Sequence, residues 1–90
     1  MKQTMTAAQR AKKKEYQKLL KMHGLALKWF NGFSYAEKLI AGAMISIRKK
    51  GDNFNIVVRG KGTWRKYFER EAAVLMRSLM KYGTVTVDLI

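Results

Sequence analysis

Around one glycine-punctuated turn the chain gathers the residue types that hold phosphate. In Asn53–Leu79, NFNIVVRGKGTWRKYFEREAAVLMRSL, Gly60 and Gly62 flank Lys61, with Arg59 before them and Arg65, Lys66 and Arg70 after them. Glycines at such a turn accept positive φ and let backbone N–H groups approach a ligand without a Cβ in the way. If a helix starts there, its free N–H groups and macrodipole favour an anion at the same spot. The same residues have a plainer use, as a tight strand-to-helix turn with a solvated cationic helix face.

Other chemistry finds little material. The chain has no cysteine, which excludes disulfides, thiolate metal sites and a cysteine nucleophile, and its single histidine, His23, excludes the usual multi-histidine metal sites. As a lone imidazole His23 could serve as a base or a pH switch, but its place beside Gly24 suits a helix end better. Glu15, Glu37, Asp52, Glu69, Glu71 and Asp88 are scattered and form no two-metal pattern. No enzyme activity, cofactor or metal is expected.

Composition points to a polyanionic partner. The 90 residues carry 19 Lys and Arg against 6 Asp and Glu, a net charge of +13. That excess is far beyond what solubility needs, and nucleic acid is the commonest compact polyanion, since each phosphate neutralised releases counterions. An anionic membrane surface is the rival, yet no apolar run approaches the roughly twenty residues of a membrane span. With no secretory signal in view, the reading is a cytoplasmic protein, associated with nucleoid or RNA.

The elements that must position these residues follow in chain order. Residues 1–5 read as a frayed start, and Thr6-Ala7-Ala8-Gln9 has capping-box spacing for a helix reaching about Met22. Its expected inward stripe is Ala8, Ala11, Tyr16, Leu19, Leu20 and His23. Lys12, Lys13, Lys14 and Lys18, with Arg10 and Lys21, lie mostly outside that stripe and form a candidate phosphate-tracking arm. Leu25–Phe30 reads as a strand with Trp29 in the core, ended by Asn31-Gly32. Trp29, Phe30 and Phe33 would stack on bases if exposed. Ser34-Tyr35-Ala36-Glu37 gives a second capping box and predicts a helix to about Lys50. Ala36, Leu39, Ile40, Ala43 and Ile47 form its stripe, and Arg48, Lys49 and Lys50 sit at its C-terminus.

Phe54, Ile56 and Val58 then alternate as a buried strand, and Trp64, Phe68, Ala72, Leu75 and Leu79 form the dry stripe of a last helix ended by Gly83. Thr84–Ile90 closes as a strand with Val85, Val87 and Leu89 on one face. The sum is one α/β domain over residues 1–90, a basic helix over 1–23 followed by a βαβαβ core over 24–90. The fold expected is a small parallel three-stranded sheet with helices packed on it. Its two free edges make a homodimer reasonable.

From Leu25 to Leu89 the order and spacing resemble the Alba family of small basic chromatin and RNA-binding proteins. That fold is similar to the C-terminal domain of translation initiation factor three. The resemblance rests on IVVRGKGTWRKYFEREAAVLMRSL, similar to the family's second strand, Arg-Gly turn and following helix, and on YAEKLIAGAMISIRKKG, similar to its first helix. It implies a non-catalytic nucleic-acid-binding dimer and carries over only Arg59, Lys61 and Arg65 by position. The family's lysine pair before the first helix is replaced here by Asn31-Gly32-Phe33-Ser34, and its closing hairpin arm has no counterpart before Ile90.

Three classes of function follow from this reading. The first is a largely sequence-independent binder of RNA or DNA, holding phosphates with Arg59, Lys61, Arg65, Lys66 and Arg70 and, on the arm, Lys12, Lys13, Lys14 and Lys18. A small regulatory protein, viral or host, with an acidic protein or ribonucleoprotein partner is the second. Third comes a metal-independent ribonuclease or toxin built on His23 and a tyrosine such as Tyr67.

Overall fold

A computed structural model describes residues 7–90 of the chain. The frayed start and the capping box that needs Thr6 lie outside the described residues. Helix α1 spans Ala7–Met22 and is followed by four strands, β1 (Ala26–Phe30), β2 (Phe33–Ile40), β3 (Ala43–Lys50) and β4 (Asn53–Gly60). Helix α2 (Thr63–Leu79) and strand β5 (Thr84–Leu89) complete the order. All five strands form one sheet in the order β1-β2-β3-β4-β5, antiparallel from β1 to β4 and parallel between β4 and β5.

This overturns the expected three-stranded parallel sheet and its βαβαβ order. The class is still α/β, but only β4-α2-β5 is a strand-helix-strand crossover. The error lies at residues 34–50, where the expected helix is instead the β2–β3 hairpin, paired from Ser34↔Lys49 to Ile40↔Ala43. Ala41 (φ 46°) and Gly42 (φ 82°) take consecutive left-handed conformations. That is the backbone of a two-residue hairpin turn whose twist matches the strands it joins. Gly42 therefore serves the turn and not close helix packing, Gly51 turns β3 into β4, and Arg48, Lys49 and Lys50 stand on a strand, not at a helix C-terminus.

Elsewhere the local patterns hold. Phe54, Ile56 and Val58 are buried on one face of β4, and Phe68, Ala72, Leu75 and Leu79 are buried along α2. Residues of β2 and β3 join them on the same face, Ser34 and Ala36 on β2 and Ala43, Ile45 and Ile47 on β3, while Ser46 is buried on the other face. From α1, Tyr16 and Leu20 add to the same cluster, so both helices cover one face of the sheet. Tyr16 packs on Phe54 with ring centroids 5.5 Å apart. The stripe is shorter than expected at two places, since Ala11 is exposed and Trp64, at the start of α2, keeps 38% of its surface.

One contact pins the two turns at the α2 end of the sheet together. Gly60 (φ 100°) lies so close to the β2–β3 turn that an added Cβ would fall 2.1 Å from the Gly42 carbonyl oxygen. Only glycine fits there, by space as well as by φ.

Candidate nucleic-acid interface

The β4–α2 turn forms as the sequence suggests. Gly62 (φ 91°) caps α2 without a side-chain hydrogen bond, and no acidic residue stands in the first helical turn. Its cations divide by role. Arg65 is engaged: Nη1 donates to the Gly60 carbonyl at 3.0 Å and to the Ile90 carbonyl, and Nε donates to Glu69 at 3.3 Å. It braces the turn against the end of β5. Arg59, Lys61, Lys66 and Arg70 are exposed and make no ion pair among the described residues.

The arm residues lie elsewhere. Every described side chain of α1 before Tyr16 is exposed, so the first half of this helix stands clear of the sheet, with Lys12, Lys13 and Lys14 on it and Lys18 further along. Lys13 reaches back to place its ammonium 4.5 Å from the ring centre of Trp29. Trp29 pairs with Ser34 near the β1–β2 turn, whereas Arg59 pairs with Met44 near the β2–β3 turn. Five residues of strand separate these levels, roughly 17 Å at the usual rise. The candidate residues thus form two groups at opposite ends of the sheet and do not converge on one site.

Sequence reasoning missed what joins the arm. At the same end stand Arg48, Lys49 and Lys50, previously read as a helix terminus, with Arg48 4.9 Å from the Phe33 ring centre and Lys49 5.9 Å from that of Phe54. Trp29 and Phe30 are 51% and 50% exposed, so the expectation of a buried Trp29 fails. It sits on edge strand β1, where Lys13 of α1 reaches over its ring but leaves half of it exposed. Phe30 and Phe33 stack with centroids 4.8 Å apart and planes 12° from parallel.

The acidic residues are turned to internal use. Glu71 is buried on α2, where Oε1 lies 2.9 Å from Lys38 Nζ and Oε2 accepts from Lys38 Nζ and from His23 Nδ1, both at 3.0 Å. Lys38 also donates to the His23 carbonyl at 2.7 Å, so the cluster ties the end of α1 to β2 and α2. This cluster fixes His23 in place at the helix end. Glu37 accepts from Tyr35 Oη, Asp88 from Asn55, and Glu15 from Tyr82 Oη, a bond that raises the Tyr82 phenol above its ordinary pKa. Burial pushes the Tyr16 phenol up to about 12, the neighbouring Ser34 hydroxyl offsetting only part of it.

Among the described residues no three His, Asp or Glu side chains converge as metal ligands, and no helix is long and apolar enough to cross a membrane. Comparison with protein-family models, with curated proteins and with solved structures gives no match to this chain.

Proposed function

We propose that this protein binds nucleic acid without catalysing a reaction, holding the phosphate backbone through cations at both ends of its sheet. One observation carries the reading: five of the six acidic side chains, Asp52 apart, are spent on contacts within the fold, while among the described residues Lys12, Lys14, Lys61, Lys66 and Arg70, with other cations, stand exposed and make no ion pair. Such a surface repels itself unless a polyanion neutralises it. At one end Lys12, Lys13, Lys14, Lys49 and Lys50 take phosphates. At the other, Arg59 and Lys61 flank the uncapped N-terminus of α2, with Lys66 and Arg70 on its exposed side. Arg65 shapes the turn and leaves the phosphates to its neighbours. Contacts of this kind position a strand without reading its sequence.

The test is fluorescence anisotropy with labelled single-stranded DNA, duplex DNA and structured RNA across a salt series. Wild type should bind with a steep salt slope, and Lys12→Glu/Lys14→Glu and Lys61→Glu/Lys66→Glu should each lower affinity about tenfold or more at low salt, converging on wild type as salt rises. Negligible binding of all three probes near 0.15 M salt, a level at which roughly 8 Å of screening still leaves contact charges effective, would sink the proposal. It would then turn attention to an acidic protein partner.

A further inference from the structure

The face of the sheet turned away from both helices carries a second kind of surface. Alternation places Lys28 and Phe30 of β1, Phe33 and Tyr35 of β2, Arg48 and Lys50 of β3, and Asn53 and Asn55 of β4 on it. No element of the described chain covers them. Phe30, Phe33 and Arg48 form a continuous ladder: the two rings stack at 4.8 Å, and the guanidinium lies 4.9 Å from the Phe33 ring centre. Phe33 is thus occupied on both sides, while Phe30, at the end of the ladder, is half exposed. Beside the ladder a shallow cavity of about 210 Å³ is lined by Arg48, Lys50, Phe54, Asn55, Thr84 and Thr86, among others, a mainly apolar lining with hydrogen-bonding groups set in it.

We infer that this open face binds single-stranded nucleic acid, one base stacking on the free side of Phe30 and extending the Phe30–Phe33–Arg48 ladder, with the neighbouring phosphates held by Lys28, Arg48 and Lys50. The inference rests on the nucleic-acid reading above and adds what that reading lacks, a surface that recognises bases and not only phosphates. Three features select the occupant. The charge is complementary to phosphate at this end of the face, since Lys28, Arg48 and Lys50 gather there. Glu37 and Asp88 lie one pairing row away, each already accepting a hydrogen bond from a neighbour. A half-exposed aromatic ring offers a π-face to any base, which explains affinity without sequence preference. Bases of a duplex are already stacked and paired, so only an unpaired base can reach the ring. The arm of α1 approaches the same end through Lys13 and Trp29, so it extends the phosphate track past the platform.

The experiment compares three labelled probes of equal length and about the site size of a small sheet platform, about 10 nucleotides. They are single-stranded oligonucleotide (DNA and RNA), its duplex, and an abasic oligonucleotide with the same phosphates. Wild type should bind the base-bearing single strand about tenfold tighter than the abasic one. Phe30→Ala should remove that difference while leaving abasic binding unchanged, and Phe30→Trp should restore it. Arg48→Gln should weaken all probes, and the base-bearing strand most. Circular dichroism on each variant shows whether the fold survives, and Phe30, being half exposed, is a site where truncation spares it. If base-bearing, abasic and duplex probes bind alike with a steep salt slope, base stacking is overturned and the phosphate reading survives. Should no probe bind, the reading beneath it fails too.

Discussion

The two faces of the sheet are made by the same strands, residue by residue in alternation, and they have opposite fates. On the helix-covered face Ala36, Ile45, Ile47, Ile56 and Val58 are fully buried. On the open face the same strands present Lys28, Phe30, Tyr35, Arg48 and Arg59. Because α1 and α2 both pack on one side, most of the buried apolar surface lies there, while the other side holds cross-strand contacts such as Asn55 with Thr86 and Phe30 with Phe33. The lesson is local to Phe30 and Phe33, whose rings stack on each other on the face that neither helix covers.

Two phenylalanines break this comparison most sharply. Phe68 of α2, fully buried, should cost about 3–5 kcal/mol when cut to alanine. Phe30→Ala, which loses only the stack on Phe33, should cost about 1 kcal/mol. Urea denaturation reads both, and equal losses would show that the open face also carries the fold. A smaller contrast sets the buried ion cluster against an exposed pair. Glu71→Gln removes the charge opposite Lys38 and His23 and should lower stability by about 2–4 kcal/mol. Glu69→Gln, which loses only the Arg65 pair, should lower it by less than about 1 kcal/mol.

A further effect is confined to alkaline solution. Tyr16 is neutral when protonated, and burial raises its folded pKa to about 12 from an unfolded value of 10.0. The folded state therefore holds this proton more tightly. Its contribution is complete below pH 10 and is lost as pH climbs toward 12, about 3 kcal/mol in all. Tyr16→Phe should flatten this part of the stability profile, measured by denaturation at fixed pH values. A profile unchanged by the substitution would mean that the phenol is not buried against β4.

How much of this was legible in the sequence differs along the chain for physical reasons. The β4–α2 segment was readable because Phe54, Ile56 and Val58 keep period two without exception and Phe68, Ala72, Leu75 and Leu79 keep the helical period. The β2–β3 hairpin was not. Its inward row on β2 contains Lys38, which only Glu71 and the His23 carbonyl, distant in sequence, make tolerable inside. Its outward row holds Phe33, Tyr35 and Leu39, more apolar than its inward one. The turn lacks the Asn-Gly or Asp-Gly pair that announces such hairpins, using Ala41-Gly42 instead. Meanwhile Ala36, Leu39, Ile40, Ala43 and Ile47 imitate a helical stripe. At the candidate site the cations of the turn and arm could be singled out from the sequence as candidates. Their division into two ends and the exposure of Trp29 and Phe30 needed the hairpin, and so stayed hidden with it.

The tight approach of Gly60 to Gly42 divides the molecule in one further respect. At that end of the sheet neither position 60 nor its neighbouring turn can change without the other, because backbone meets backbone. In the Asn31-Gly32 turn, beside Phe30 and Phe33, a Cβ added at Gly32 meets no atom within 4 Å. Its φ of 89° is the main local restriction. Lineages or designers could therefore lengthen or recompose that loop, altering what sits beside the aromatic ladder, while the close backbone approaches of Gly60 to Gly42 and of Gly83 to Asp52 stay as they are.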